Sequence, residues 1–186
     1  ATPAELASAV DETLAELGGL DILVNNAGTI RRAPVAEHSA TDWNEVLAVN
    51  LDSVFHLSQA AGRHMIANGR GRIINVASML SFQGGILVPG YPASKHAVAG
   101  LTKALANEWA ASGVTVNAIA PGYMATDNTA PLRADEGRAA SILARIPAGR
   151  WGDASDLQGA FVFLASDAAS YLTGTVIPVD GGWLVR

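Results

Sequence analysis

Tyr91 and Lys95 stand four residues apart in the run from Gly90 to His96, GYPASKH. On a helix that spacing puts both side chains on one face. A free phenol titrates near ~10 and gives up its proton reluctantly, whereas an ammonium beside it stabilises the phenolate and lowers that value. Such a pair suits proton exchange with an alcohol or a ketone. The same spacing also occurs on ordinary surface helices, so its weight rests on the surroundings. Ser78 ends an apolar run upstream of Tyr91, where its hydroxyl can face the same bound oxygen as the phenol or simply cap the loop. Asn50 falls on an apolar stripe with Trp43, Val46, Leu51, Val54 and Ala61. An unsatisfied buried amide costs about 1–3 kcal/mol. Asn50 is therefore expected to bond a neighbouring strand, or else a water on a proton path linked to Lys95.

The elements that must position these residues alternate along the chain. Residues 3–17 have helical periodicity through Leu6, Val10, Leu14 and Leu17, and Gly18 with Gly19 stops them. The run from Leu20 to Gly28 reads as a strand buried on both faces. A helix over 41–67 follows, with Thr41 as its N-cap and Asn68-Gly69 as its stop. Further strands are expected at 72–77, 114–120 and 174–179, and helices at 90–112, 136–145 and 155–166, with an irregular stretch over 121–135. Alternation of this kind predicts an α/β fold, a parallel sheet with helices on both faces. Ligands in such sheets lie beyond the carboxyl ends of the strands. Asn25 to Gly28, Ser78, and Pro121 to Thr126 all fall there, and Tyr91 opens the helix on the same side.

Composition restricts the partners. The 186 residues are 49% hydrophobic and 16% charged, with a mean hydropathy of +0.24, as expected of one buried globular core. No cysteine is present. That removes thiolate metal sites, disulfides and a Cys nucleophile, and fits a reducing cytoplasm. His38, His56, His64 and His96 have no metal-ligand spacing with carboxylates, so no metal is expected. A net charge of -5 without clustered Lys and Arg argues against nucleic acid. No run approaches the ~18 apolar residues of a membrane span, and the first 20 residues lack a signal-peptide pattern.

Asn25-Asn26-Ala27-Gly28, Asn50, Ser78, Tyr91 with Lys95, Pro121-Gly122 with Thr126, and Val179-Asp180-Gly181-Gly182 together resemble the short-chain dehydrogenase/reductase family, in its order and spacing. The likeness runs from the first helix to the C-terminus. It implies a single Rossmann-like dehydrogenase domain over residues 1–186 that exchanges a hydride between NAD or NADP, NAD slightly favoured, and a secondary alcohol or ketone. By resemblance, Tyr91 is the general acid/base and Ser78 orients the substrate oxygen. Lys95 binds the nicotinamide ribose and lowers the tyrosine pKa, and Asn50 holds a proton-relay water. Asn25, Asn26, Ala27 and Gly28 line the adenine-ribose side of the cofactor, and Pro121, Gly122 and Thr126 the nicotinamide side. Assembly into a homodimer or homotetramer through helices 41–67 and 90–112 is implied too.

Family members open with a strand and a Gly-rich turn, TGxxxGxG, that holds the pyrophosphate. The present sequence starts at the helix that follows that unit, so a piece of a longer chain is expected, with strand 20–26 left as an exposed apolar edge. Within the family, the segments 29–32, 77–85, 120–128, 132–136 and 180–186 are most similar to sugar-acid dehydrogenases. This implies a substrate of the 2-deoxy-gluconate or 2-dehydro-3-deoxy-gluconate type. A carboxylate calls for an arginine fork, for which Arg31, Arg32, Arg133 and Arg150 are candidates, with Gln83 for hydroxyls and Met124 with Tyr123 as a wall. Trp151 and Trp183 are expected in the core or an interface. A 3-oxoacyl-thioester reductase and a catalytically silent assembly subunit are the alternatives.

Overall fold

The computed structural model describes all 186 residues, Ala1 to Arg186. Four parallel strands form one sheet in the order β1-β2-β3-β4, with β1 at Ile22–Asn25, β2 at Gly71–Val76, β3 at Val114–Pro121 and β4 at Val176–Val179. Successive side chains of a strand point to opposite faces, and the core divides accordingly. Ile73, Val114 and Val116 pack with Val10, Ala61, Met65 and Leu105. Those partners come from α1 (Pro3–Leu17), α3 (Ser53–Ala67) and α4 (Gly90–Trp109). On the other face Ile74 and Ile119 pack with Leu164 of α7 (Gln158–Ala165). The expected three-layer architecture is present.

Local chemistry explains the boundaries. Thr2 caps α1 and forms a reciprocal box with Glu5, and Gly18 ends the helix in the left-handed conformation. Leu17 departs from the expected stripe and is 75% exposed. The helix expected over 41–67 is two helices. Ser39, not Thr41, caps α2 (Ala40–Leu47), because its hydroxyl accepts from the Asp42 amide at 3.0 Å. A π turn at Ala48–Asp52 then separates α2 from α3. Two short helices, α5 (Ala130–Ala134) and α6 (Glu136–Leu143), follow β3, where an irregular stretch was expected ahead of the second.

Strand β1 is not buried on both faces. Ile22 and Val24 are each 43% exposed. The reason is its place at the sheet edge: α7 packs against β2 and β3, whereas Leu23 joins the core on the α3 side.

Gly113 opens β3 with φ +77°, and a Cβ built there would lie 2.0 Å from the Gly69 carbonyl oxygen. Neither the dihedral nor the contact tolerates a side chain. Gly113→Ala is expected to lower stability by about 2–4 kcal/mol, from left-handed strain and overlap with backbone. Urea unfolding checks this, and a wild-type midpoint would show that the two turns do not meet so closely.

Candidate active site

The carboxyl ends of β1, β2 and β3 open onto two adjoining cavities. One, of about 230 Å³, is lined by Asn26, Gly28, Lys95, Pro121, Gly122 and Thr126 among others. The other, of about 280 Å³, contains Arg32, Gln83, Tyr123, Arg138, Arg145 and Trp183. Ser78, Tyr91, Gly122, Asn128 and Thr129 line both. The hydroxyl pair thus stands at the junction of two spaces of different character. Gly122 is required by close approach, since a Cβ there would come 2.6 Å from the Asp180 Cα.

Each member of the cluster is fixed by its element. Ser78 follows β2 and caps a 3₁₀ turn, its Oγ accepting from the Leu80 amide at 3.1 Å. Tyr91 and Lys95 lie one turn apart on α4, with the Lys95 Nζ 5.6 Å from the phenol ring centroid. Lys95 is buried, and its Nζ donates to the Val76 carbonyl at 2.6 Å. An ammonium has three donors; one is used by the protein, and the cavity beside the residue is open to the others. That donor set, flanked by the bare backbone of Gly28 and Gly122, fits the hydroxyl-rich ribose of a dinucleotide.

Asn50 sits in the π turn and is fully buried. Its Oδ1 accepts from the Thr29 amide at 2.8 Å. Its Nδ2 donates to the Thr29 carbonyl at 3.0 Å and to the Ser94 Oγ at 3.2 Å. The amide therefore ties the chain leaving β1 to α4 and makes no bond to Lys95. These bonds go to the loop after β1 and to a helix, not to a neighbouring strand as expected.

Electrostatics correct one expectation. The phenol of Tyr91 is pushed above its ordinary value, not below it, because burial disfavours the phenolate; the Ser78 hydroxyl and the charge of Arg32 oppose this. Lys95 is itself perturbed. Its own pKa falls to about 8, since burial disfavours the ammonium.

Other expected residues lie elsewhere. Asn25 and Ala27 do not line the Lys95 cavity, although Asn26 and Gly28 do. Asn25 turns inward, its Nδ2 donating to the Asn75 Oδ1 at 2.8 Å and the Ser58 Oγ at 3.0 Å. Arg31 is held away by Glu45 and Asp42. Arg133 donates to the Thr126 carbonyl at 3.1 Å and lines neither cavity. Arg150 is locked onto Asp156 at 2.7 Å beside a separate recess, where the guanidinium holds that carboxyl far below the usual carboxylate range. Met124 is a wall of the Lys95 cavity rather than of the arginine-lined one. Arg32 and Gln83 both line the larger cavity. Trp183 is in the core, and Trp151 packs edge-on against Tyr123 at 5.5 Å.

Two arginines escaped the sequence reading. Arg138 is in α6 and Arg145 lies two residues beyond its end, and no spacing along the chain signals that they meet in one cavity. With Arg32 they give the larger cavity three cations and no carboxylate, on a chain whose net charge is -5.

Comparisons with known proteins agree with this geometry. A family profile described as enoyl-(acyl carrier protein) reductase matches residues 1–184. The chain is 62% identical over 178 residues to 2-dehydro-3-deoxy-D-gluconate 5-dehydrogenase from Escherichia coli, covering 95% of this chain and 70% of that protein. It is 46% identical over 167 residues to gluconate 5-dehydrogenase from Gluconobacter oxydans, covering 90% and 65%. The crystal structure of a gluconate 5-dehydrogenase from Burkholderia cenocepacia, in complex with NADP and tartrate, superposes with a TM-score of 0.97 at 43% identity, over 100% of this chain and 72% of that one.

Proposed function

The chain belongs to the short-chain dehydrogenase/reductase family, and from that membership we propose that it exchanges a hydride between NAD(P) and a secondary alcohol or ketone of a small sugar acid. The 2-dehydro-3-deoxy-gluconate and 2-deoxy-gluconate types are the substrates meant. The observation that carries the reading is the arginine-lined cavity meeting the Lys95 cavity at Tyr91 and Ser78. An acid fits the first space and a dinucleotide ribose the second. The tartrate of the Burkholderia relative, a hydroxy acid, supports the same assignment.

In alcohol oxidation, the substrate hydroxyl donates to the Tyr91 Oη and passes its proton there, while the Ser78 Oγ orients the same oxygen. Ketone reduction runs the proton the other way. Lys95 Nζ, Asn26, Gly28, Pro121, Gly122 and Thr126 would hold the dinucleotide, and a bound nicotinamide supplies the hydride donor or acceptor. Asn50 keeps Thr29 and Ser94 in place. Its bonds support a positioning role.

A cytoplasmic location is part of the proposal. So is assembly through residues 41–67 and 90–112, which the exposed Phe55 and Ile66 of α3 support. No helix is long and apolar enough to cross a membrane.

Absorbance at the reduced-nicotinamide band should fall when the protein is mixed with NADPH or NADH and 5-keto-D-gluconate, and rise with NADP+ or NAD+ and 2-dehydro-3-deoxy-D-gluconate, whereas a 3-oxoacyl thioester with NADPH or NADH should leave it unchanged. The paired cofactors also test the slight NAD preference implied by the resemblance, and sedimentation velocity reads the assembly state. Turnover of the thioester alone would overturn the sugar-acid reading, and absence of saturable binding of both NADPH and NADH would overturn the enzyme reading.

A further inference from the structure

The three cations of the larger cavity are not equivalent. Arg32 donates from one Nη to the Asn128 carbonyl at 2.8 Å. Arg138, in the first turn of α6, has no side-chain bond or aromatic partner to fix it. Arg145 lies just beyond the end of the same helix, where a cation is favoured by the helix dipole, and its guanidinium carbon sits 4.0 Å over the Trp183 ring. That contact is with a ring face, which consumes no N–H donor of the guanidinium as a hydrogen bond would. No carboxylate pairs with it and no protein acceptor takes its side-chain hydrogens.

The platform beneath Arg145 is itself held. Trp183 is 4% exposed and packs edge-on against Tyr123 at 4.7 Å. Its Nε1 donates to the Gln83 Oε1 at 2.9 Å. An indole nitrogen is a donor only, so the Gln83 oxygen must face it. The Gln83 amide nitrogen then lies on the other side of the group, in a residue that lines the same cavity. A cation held in place with its donors unspent matches a carboxylate.

We propose that Arg145, held over Trp183, receives the carboxylate of the substrate and thereby sets which carbon reaches Tyr91, with Gln83 as a positioning residue acting through Trp183. This rests on the sugar-acid reading of the site. Bidentate arginine pairing with a carboxylate orients as well as attracts.

The test compares 5-keto-D-gluconate with D-fructose, a ketose of equal length without the carboxylate. Arg145→Gln is expected to raise the KM of the acid roughly 10- to 100-fold, as for loss of a charged hydrogen bond, and to lower its kcat because the register at Tyr91 is lost, with both constants of fructose unmoved. Arg145→Lys should recover part of the loss, and Gln83→Leu should move the acid KM the same way but less. Tryptophan emission should respond to the acid in the wild type and not in Arg145→Gln, with Trp183→Phe identifying the reporter. An equal rise for both sugars, an unchanged acid KM, or a selective loss found in Arg32→Gln or Arg138→Gln instead would overturn the inference. A wild type that neither binds nor turns over any sugar acid would overturn the reading beneath it, a separate outcome visible before any variant is made.

Discussion

Tyr91→Phe is expected to lower kcat about a thousandfold, the scale of a lost general acid/base, while leaving NADPH affinity within about twofold. The substitution removes one hydroxyl from a wall shared by both cavities and leaves the ring beside Lys95 intact. The pH profile gives a second readout. Because burial pushes the phenol up, Tyr91 stays protonated through neutral pH. Ketone reduction needs the protonated form, so its rate should be flat there and fall only in the alkaline range. Alcohol oxidation needs the phenolate, so its rate should climb with pH over the same interval. Both dependences should vanish in the variant. Residual turnover above a tenth of wild type, or a pH profile that survives, would remove Tyr91 from the proton transfer.

The chemistry of this site was legible where it depended on spacing along one element. The four-residue interval of Tyr91 and Lys95 and the strand-end positions of Ser78, Gly122 and Thr126 needed no tertiary information. Asn25 was harder. A polar residue at a strand end can face the crevice or the core, and pleat alone does not say which. Asn25 is in register with Asn75 of β2, so their side chains share a face and bond each other beneath α3 and α4. The sequence shows neither the partner strand nor its register.

Asn50 illustrates a different limit. Its apolar stripe is compatible with an unbroken helix, and only the π turn at Ala48–Asp52 aims the amide at Thr29. Such turns insert a residue without disturbing the surrounding pattern. The capping residue was recoverable: Ser39 with Asp42 three positions later fits the pattern of a hydroxyl residue followed by an acid, which Thr41 with Asn44 does not. Arg138 and Arg145 depended on where α6 lands relative to β3, a property of tertiary packing that no local period encodes.

Lys95→Met is expected to make the protein more stable and less functional at once. Lys95 is buried, with one hydrogen bond to set against the loss of its hydration. A fall from the ordinary lysine value of 10.5 to about 8 corresponds to about 3 kcal/mol against the charged form in the folded state. Below pH 8 the lysine is charged in both states, and the folded protein carries that cost in full. Between about 8 and 10.5 the folded state has released the proton and the unfolded state has not, so wild-type stability rises with pH. Methionine of similar length removes the cost and leaves the Val76 carbonyl without a donor, a loss of about 1 kcal/mol. The net gain should be about 2 kcal/mol at pH 7, closing as pH rises through that window. Urea unfolding of both proteins at pH 7 and pH 10 measures it, and a variant less stable at pH 7 would show that the burial is compensated by contacts not seen here. Dinucleotide affinity should fall at least about tenfold, by loss of a charged donor at the cavity wall. A chain that keeps an ammonium where a thioether would fold better does so for what the ammonium binds.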